Sequence, residues 1–521
     1  MPPIRESALP PMPPVAERRD RIPLGPVIFT LTLAAIGLLI GPEILIVGLI
    51  GVGGAIAIGM RPQLGVALLL SLLMVQYGQR GTEREGIADT ISNLVPQGTG
   101  FLTINNALGM YLVALLVYDQ FFAKDWSFLR NRIFQLILVV TIVQVFSGLV
   151  SGIKFTDQIA MGLQSTSAED PSRVLITRAL FVALFLYFVR EPRDLRMILA
   201  LFIVLTVVTA WTGSQAALTG YGAMDVSRMS AGRAGGLDVL IQSSKNPNRL
   251  ALIATLGLVY IWEYSQAHQM RKWFRWVALG VALLMIVTVF LTASRGGLIG
   301  LVVVGSMLFV RKSGGSGRWL YGMAAVLLAG VLIAELVPEE SMERITNIPG
   351  ISKEDPNAPG AGSTERRAYI FSIGFQIWEK SPIIGIGPGN WSYVRYQVDP
   401  IRSVAVAHDS YLAALAEGGV ISLGLYLLLF YVTIRDLLRC ERNPDIVELA
   451  KSEGLEWVLG ATRICMIGFM VFSIFSDLWD LIFSYFLLAV SSALVQRYQP
   501  SARREYQASG AVFSPAWGGT R

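Results

Sequence analysis

Residues 277–293 read VALGVALLMIVTVFLTA, and Ser294-Arg295-Gly296-Gly297 then separates them from a second apolar run, Leu298–Val310. No charge interrupts either run, and a helix that crosses a bilayer needs roughly 20 such residues. Two spans joined by one arginine-bearing turn are the simplest reading. The pattern recurs at Val27–Ile40, Ile44–Met60, Leu64–Val75, Ile133–Val150 and Val420–Ile434. Of 521 residues, 53% are hydrophobic and 15% charged, with a mean hydropathy of +0.55. A soluble domain carries roughly 25% charged residues. The fold class is therefore all-α: a polytopic integral membrane protein with about 14 transmembrane helices, range roughly 12–14.

Charge sets the expected topology, because short cytoplasmic loops collect Lys and Arg. Basic clusters fall at Arg61, Lys124/Arg130/Arg132, Arg190/Arg193/Arg196, Arg271/Lys272/Arg275, Arg311/Lys312/Arg318, Arg435/Arg439/Arg442 and Arg497/Arg503/Arg504. Each lies two spans from the next, which puts both termini inside. The other face receives the longer polar loops Gly78–Asn105, Gly152–Ser172, Gly213–Asn248 and Val337–Ala407. Loops of that last length are usually functional or disordered. Within it, Ala368–Glu379 has apolar residues near helical spacing, which reads as a short helix on the outer surface or, equally well, as ordinary loop packing. The expected organisation is a disordered tail at 1–23, membrane helices at 24–212, a core at 213–434 that contains the outer loop 337–410, an inner loop and final helix pair at 435–496, and a tail at 497–521.

No small-residue cleavage site follows the first apolar run, so no signal peptide is expected. The net charge of +6 reflects loop arginines, and no nucleic-acid partner is expected. Cys440 and Cys465 are too few for a disulfide framework and lack metal-ligand spacing, so neither a metal nor a cofactor is expected.

Chemistry concentrates between Ser363 and Ser422. This stretch holds Arg366 and Arg367, the run Gly385-Ile386-Gly387-Pro388-Gly389-Asn390-Trp391, and His408-Asp409. The glycines read either as a tight turn after Pro382 or as backbone that lets amides approach an anion. His408 is one of two histidines. An ordinary pKa near 6.5 suits His to proton transfer, although a boundary histidine can simply be an interfacial residue. The other, His268, reads as solvated beside Arg271. Arg295 either snorkels to headgroups or holds a phosphate through its guanidinium fork. Asn246-Pro247-Asn248 reads as a helix start.

Taken together, these motifs resemble the bacterial O-antigen ligase and polymerase superfamily over about Gly235–Phe430. The elements are Asn246–Asn248, Ser294-Arg295-Gly296, an arginine ahead of Pro382-x-x-Gly385-x-Gly387, and His408-Asp409 followed after nine residues by Gly419. The chain departs from the pattern at Asp409, where Asn is usual, and at Ser422, where the last glycine is expected. Spacing to Pro382 favours Arg367 over Arg366.

The resemblance implies an inner-membrane glycosyltransferase of surface polysaccharide synthesis, with its active site in a periplasmic loop. Its donor would be an undecaprenyl-diphosphate-linked glycan. Its acceptor would be another glycan or a lipid A core, and membrane lipids and other polysaccharide-assembly proteins would be its partners. It implies catalytic roles for His408 and Asp409, diphosphate binding by Arg295, Arg367 and Arg366, and substrate binding or structural support from Asn248, Gly387, Gly389, Asn390 and Trp391. Trp391, Tyr393 and Tyr396 would stack on sugar faces, although anchoring at the membrane interface is the commoner use of such residues. The span count favours a polymerase over the simplest ligases. A transporter or flippase is the reading from another class; it would require a deep polar cavity open alternately to both sides.

Overall fold

The computed structural model describes residues 53–76, 104–154, 156, 158, 161, 170–219, 246–267, 272–313, 363–399, 407–479 and 481–498. The expected tail at 1–23, the span at Val27–Ile40, most of the loop Gly78–Asn105, all of 337–362, His268 and the side chain of Arg366 lie outside the described residues. The chain divides into two compact units, Met1–Leu64 and Gly65–Arg521. In the first, Gly53–Met60 is helical. Helix α1 (Pro62–Gln76) opens on a proline, whose fixed φ suits a first helical position.

The second unit contains α2 (Ile104–Ala123), α3 (Arg132–Ser151), α4 (Pro171–Phe188), α5 (Pro192–Thr219), α6 (Pro247–Ala267), α7 (Lys272–Leu291) and α8 (Arg295–Ser313). It continues with α9 (Ser363–Lys380), α10 (Trp391–Val398), α11 (Ser410–Arg442), α12 (Pro444–Ser452), α13 (Glu456–Ser473) and α14 (Ile482–Tyr498). No strand occurs among the described residues. The protein is an all-α polytopic membrane protein. Six described helices are long and apolar enough to cross a membrane (α3, α4, α5, α7, α11 and α13), or seven if Gly53–Met60 and Pro62–Met74 form one span.

Local chemistry sets the helix ends. The Asn131 side chain accepts from the Phe134 amide at 3.1 Å to cap α3, and Gly152, at φ 68°, ends it in the left-handed region. Asp170 caps α4 ahead of Pro171, and Asn443 caps α12 ahead of Pro444. Helix α6 is apolar on all sides and is buried from Leu250 through Ile261. An all-round apolar helix belongs at the centre of a bundle. The glycines of α8 and α13 let neighbours approach closely. A β-carbon on Gly300 would fall 2.2 Å from the Phe472 ring, and one on Gly468 would fall 2.7 Å from Val304.

Ion pairs collect at one end of this bundle. Arg311 bonds Glu263 at 3.2 Å, Arg463 bonds Glu441 at 2.9 Å, and Arg497 bonds Glu453 at 2.5 Å. Arg190 pairs with Asp125 at the same end. The C-termini of α6, α8, α11 and α14 and the N-terminus of α13 meet there. The N-termini of α6, α8 and α11 therefore all lie at the opposite end, where the loop joining α13 to α14 also falls.

Candidate active site

Three helix starts converge on residues 475–478, which follow α13. At α6, Asn246 accepts from the Asn248 amide at 2.9 Å and fixes the turn through Pro247. The Asn248 side chain then links two elements: its amide nitrogen donates to the Phe475 carbonyl at 3.0 Å, and its oxygen accepts from Ser294 Oγ at 2.5 Å. Ser294 Oγ in turn accepts from the Gly297 amide at 2.9 Å, which caps α8. At α11, Ser410 Oγ donates to the Ser476 carbonyl at 2.9 Å and accepts from the Leu478 amide at 2.8 Å. Arg249 adds a bond from Nη2 to the Asp477 carbonyl at 3.0 Å.

The charged residues sit on this frame. Arg295 is the first residue of α8, half-buried, directly after the Ser294 cap. Arg367 lies in the first turns of α9 with its guanidinium over the Phe475 ring, 5.9 Å from the centroid. A β-carbon on Gly296, the residue after Arg295, would fall 2.5 Å from that of Phe475, so the start of α8 and Arg367 pack on the same residue. Arg367 keeps substantial solvent exposure. Even so, partial desolvation first, and the Arg295 charge second, hold its guanidinium below the ordinary value.

His408 is half-buried two residues ahead of Ser410, and it has φ 54°. Only Lys124, Ala293 and His408 have positive φ among the described non-glycine residues. Two of these three, Ala293 and His408, stand two residues before the helices that begin at Arg295 and Ser410. A non-glycine residue held there costs about 1–3 kcal/mol and persists only where its surroundings dictate it. Asp409 is buried, and its Oδ1 accepts from the Tyr411 and Leu412 amides, both at 2.8 Å. It is the N-cap of α11. Burial raises its carboxyl above the usual range, against the two amides that stabilise the charged form.

The glycine run packs against a kink in α11. The helix breaks at Gly419, where φ is 67°. There the chain pairs with the segment after α9: Val420 N–H donates to Pro382 O at 2.9 Å, Ile386 N–H to Ala416 O at 3.1 Å, and Gly387 N–H to Glu417 O at 2.8 Å. The amides of Ile386 and Gly387 are thus directed to α11 carbonyls. Gly387 and Gly389 have φ of 91° and 74°, and β-carbons on them would meet Gly148 Cα at 2.8 Å and Pro171 Cγ at 2.1 Å. Asn390 is buried and bonds Gln158 at 2.5 Å and Ile386 O at 2.7 Å. Trp391 is buried beside Glu417, whereas Tyr396 is exposed.

The structure therefore gathers Asn248, Arg367, the helix start that carries Arg295 and the helix start that follows His408-Asp409 around residues 475–478, and puts Gly387, Gly389, Asn390 and Trp391 in the seam that supports α11. Phe475 and Ser476 escape sequence reasoning. They belong to a short connection that Asp477 and Asp480 mark as a tight turn, but Phe475 and Ser476 carry no signal of their own, and their role arises from what packs on them.

Residues 280–427 match a family model described as O-antigen ligase. The match contains Arg295, Arg367 and His408 and stops short of Asn248 and Phe475. No curated protein matches the chain.

Proposed function

We propose that this chain, a membrane glycan ligase or polymerase by its O-antigen ligase domain at residues 280–427, takes its glycan from a lipid diphosphate donor on the periplasmic face of the bacterial inner membrane. The observation that carries the reading is that Arg367 lies over Phe475, the residue on which Gly296 beside Arg295 packs; the Arg295 charge adds to the burial that lowers the Arg367 guanidinium. Two guanidiniums held together are stabilised by an anion between them, and a diphosphate offers oxygens for both forks. The N-termini of α8 and α11 face the same region and add their positive ends.

In the reaction, the acceptor hydroxyl oxygen bonds the anomeric carbon as the bond from that carbon to the diphosphate oxygen breaks. The configuration inverts. The hydroxyl proton passes to the His408 imidazole, and the negative charge that develops on the leaving diphosphate falls to Arg295 and Arg367. Asp409 has a positioning role, because its Oδ1 holds the helix start that fixes His408. The acceptor is another lipid-linked repeat in a polymerase and a lipid A core in a ligase.

The lipid-linked glycans of a deletion strain test this reading. Accumulated single repeats identify a polymerase, and long unattached chains identify a ligase. An unchanged profile of lipid-linked glycans overturns the proposal.

A further inference from the structure

Helix α9 has three faces. Ile370, Ile373 and Ile377 are buried, and Gly374 faces Leu412 so closely that a β-carbon would lie 2.7 Å from it. Ser372, Gln376, Glu379 and Lys380 are exposed and polar. The third face is apolar and also exposed: Phe371 is 41% and Phe375 46% accessible, with the half-buried Trp378 ring 6.2 Å from that of Phe375. Water on two sides would leave this stripe without a favourable solvent.

The stripe continues into a surface that already faces lipid. Trp378 Nε1 donates to Pro382 O at 3.0 Å, which satisfies the polar edge of the ring. Ile383 follows, 62% exposed, and its carbonyl accepts from the Ile421 amide at 3.4 Å. Val420 and Ile421 are 52% and 41% exposed on the spanning helix α11, where an outward apolar residue meets hydrocarbon. Phe371, Phe375, Trp378, Ile383, Val420 and Ile421 therefore form one apolar surface that passes from α9 onto the span.

We infer that α9 lies in the membrane interface, with Phe371, Phe375 and Trp378 among the lipid chains and Gln376 and Glu379 toward water. An amphipathic helix of this kind buries its apolar face at the boundary of headgroups and acyl chains, and Trp prefers that depth. Arg367 stands one turn before Phe371 on the same stripe, so the embedded helix brings its guanidinium to the level of lipid phosphates. That consequence rests on the function proposed above; the embedding itself does not.

The test uses the full chain in bilayers of phosphatidylethanolamine and phosphatidylglycerol. A nitroxide is attached at F375C, F371C or Q376C in separate samples. The native Cys440 and Cys465 are buried, and the unsubstituted protein carried through the same labelling gives their background. At positions 375 and 371, collision with oxygen, which partitions into lipid, should exceed collision with a water-soluble nickel chelate several-fold. At 376 the order should reverse. Equal nickel access at 375 and 376 overturns the proposal. So does protection of 375 and 371 from both reagents, because another protein surface then covers the stripe. None of these readings depends on glycan transfer, so failure here leaves the proposed activity standing, and the converse also holds.

Discussion

The guanidinium of Arg367 rests over the ring of Phe475, 5.9 Å from its centroid. Phe475 is also the residue against which Gly296 packs and whose carbonyl Asn248 holds. Phe475 thus lies beneath Arg367 and against the helix start that carries Arg295, although it falls outside residues 280–427, which match the O-antigen ligase model. Replacing it should weaken the site without touching the charges. A cation–π contact is worth roughly 0.5–2 kcal/mol, or about two- to thirtyfold in rate. F475A should lower glycan transfer by about that factor with the protein still present in the membrane, and F475W should restore most of it. Equal activity in F475A and the parent protein would remove that role.

Gly296 makes the companion prediction. Its β-carbon would fall 2.5 Å from Cβ of Phe475, a contact that only displacement of α8 or its neighbour relieves, and 2.6 Å from Cγ, a contact that removing the ring relieves. Overpacking of this kind costs about 1–3 kcal/mol. G296A should unfold at lower temperature in detergent, and F475A in the same chain should recover part of the loss. A double-mutant cycle measures that coupling; additive effects would mean that the two sites do not share the contact.

Asp409 separates positioning from proton transfer. Asn keeps an oxygen that can accept from the Tyr411 and Leu412 amides, whereas Ala keeps none. D409N should therefore retain most of the transfer activity. D409A should lose helix stability by about 1 kcal/mol and activity with it. If D409N falls as far as D409A while folding normally, Asp409 takes part in the chemistry.

The kink of α11 gives a stability prediction with an internal control. At Gly419 a β-carbon would lie 2.1 Å from the Ile383 carbonyl oxygen, on a residue with φ 67°, while Gly424 of the same helix has nothing within 4 Å. G419A should destabilise by more than the roughly 1–2 kcal/mol of a left-handed L-residue. G424A should be neutral or stabilising by up to about 1 kcal/mol. Thermal unfolding in detergent compares the two, and equal melting temperatures would contradict the role of the kink.

Much of this arrangement is legible in the sequence. Apolar run length and loop arginines anticipate the alternation of helix ends that leaves Arg295 and His408 at one end of the bundle. Local periodicity anticipates α9, which extends from Ser363 to Lys380 where Ala368–Glu379 is expected. Asp409 sits in the pattern of a helix cap, a polar residue just before an apolar helix, although the resemblance draws attention to its chemistry. Other features come only from packing. The glycines after Pro382 match a phosphate loop as well as a turn in one dimension; in three, the Ile386 and Gly387 amides are directed to the Ala416 and Glu417 carbonyls. The left-handed backbone of His408 is imposed from outside its own segment. Phe475 carries no local signal, because its partners at Asn248, Gly296 and Arg367 are all distant in the chain.

The most direct test is glycan transfer by the purified protein in bilayers, with a polyprenyl-diphosphate-linked oligosaccharide as donor, comparing H408A and R367A with the parent chain. H408A should form no product while still binding the donor. R367A should bind the donor more weakly as well as turning it over more slowly, and both variants should remain folded in the membrane. Product formation by H408A at the parental rate would contradict the assignment of proton transfer to His408 and the site built around it.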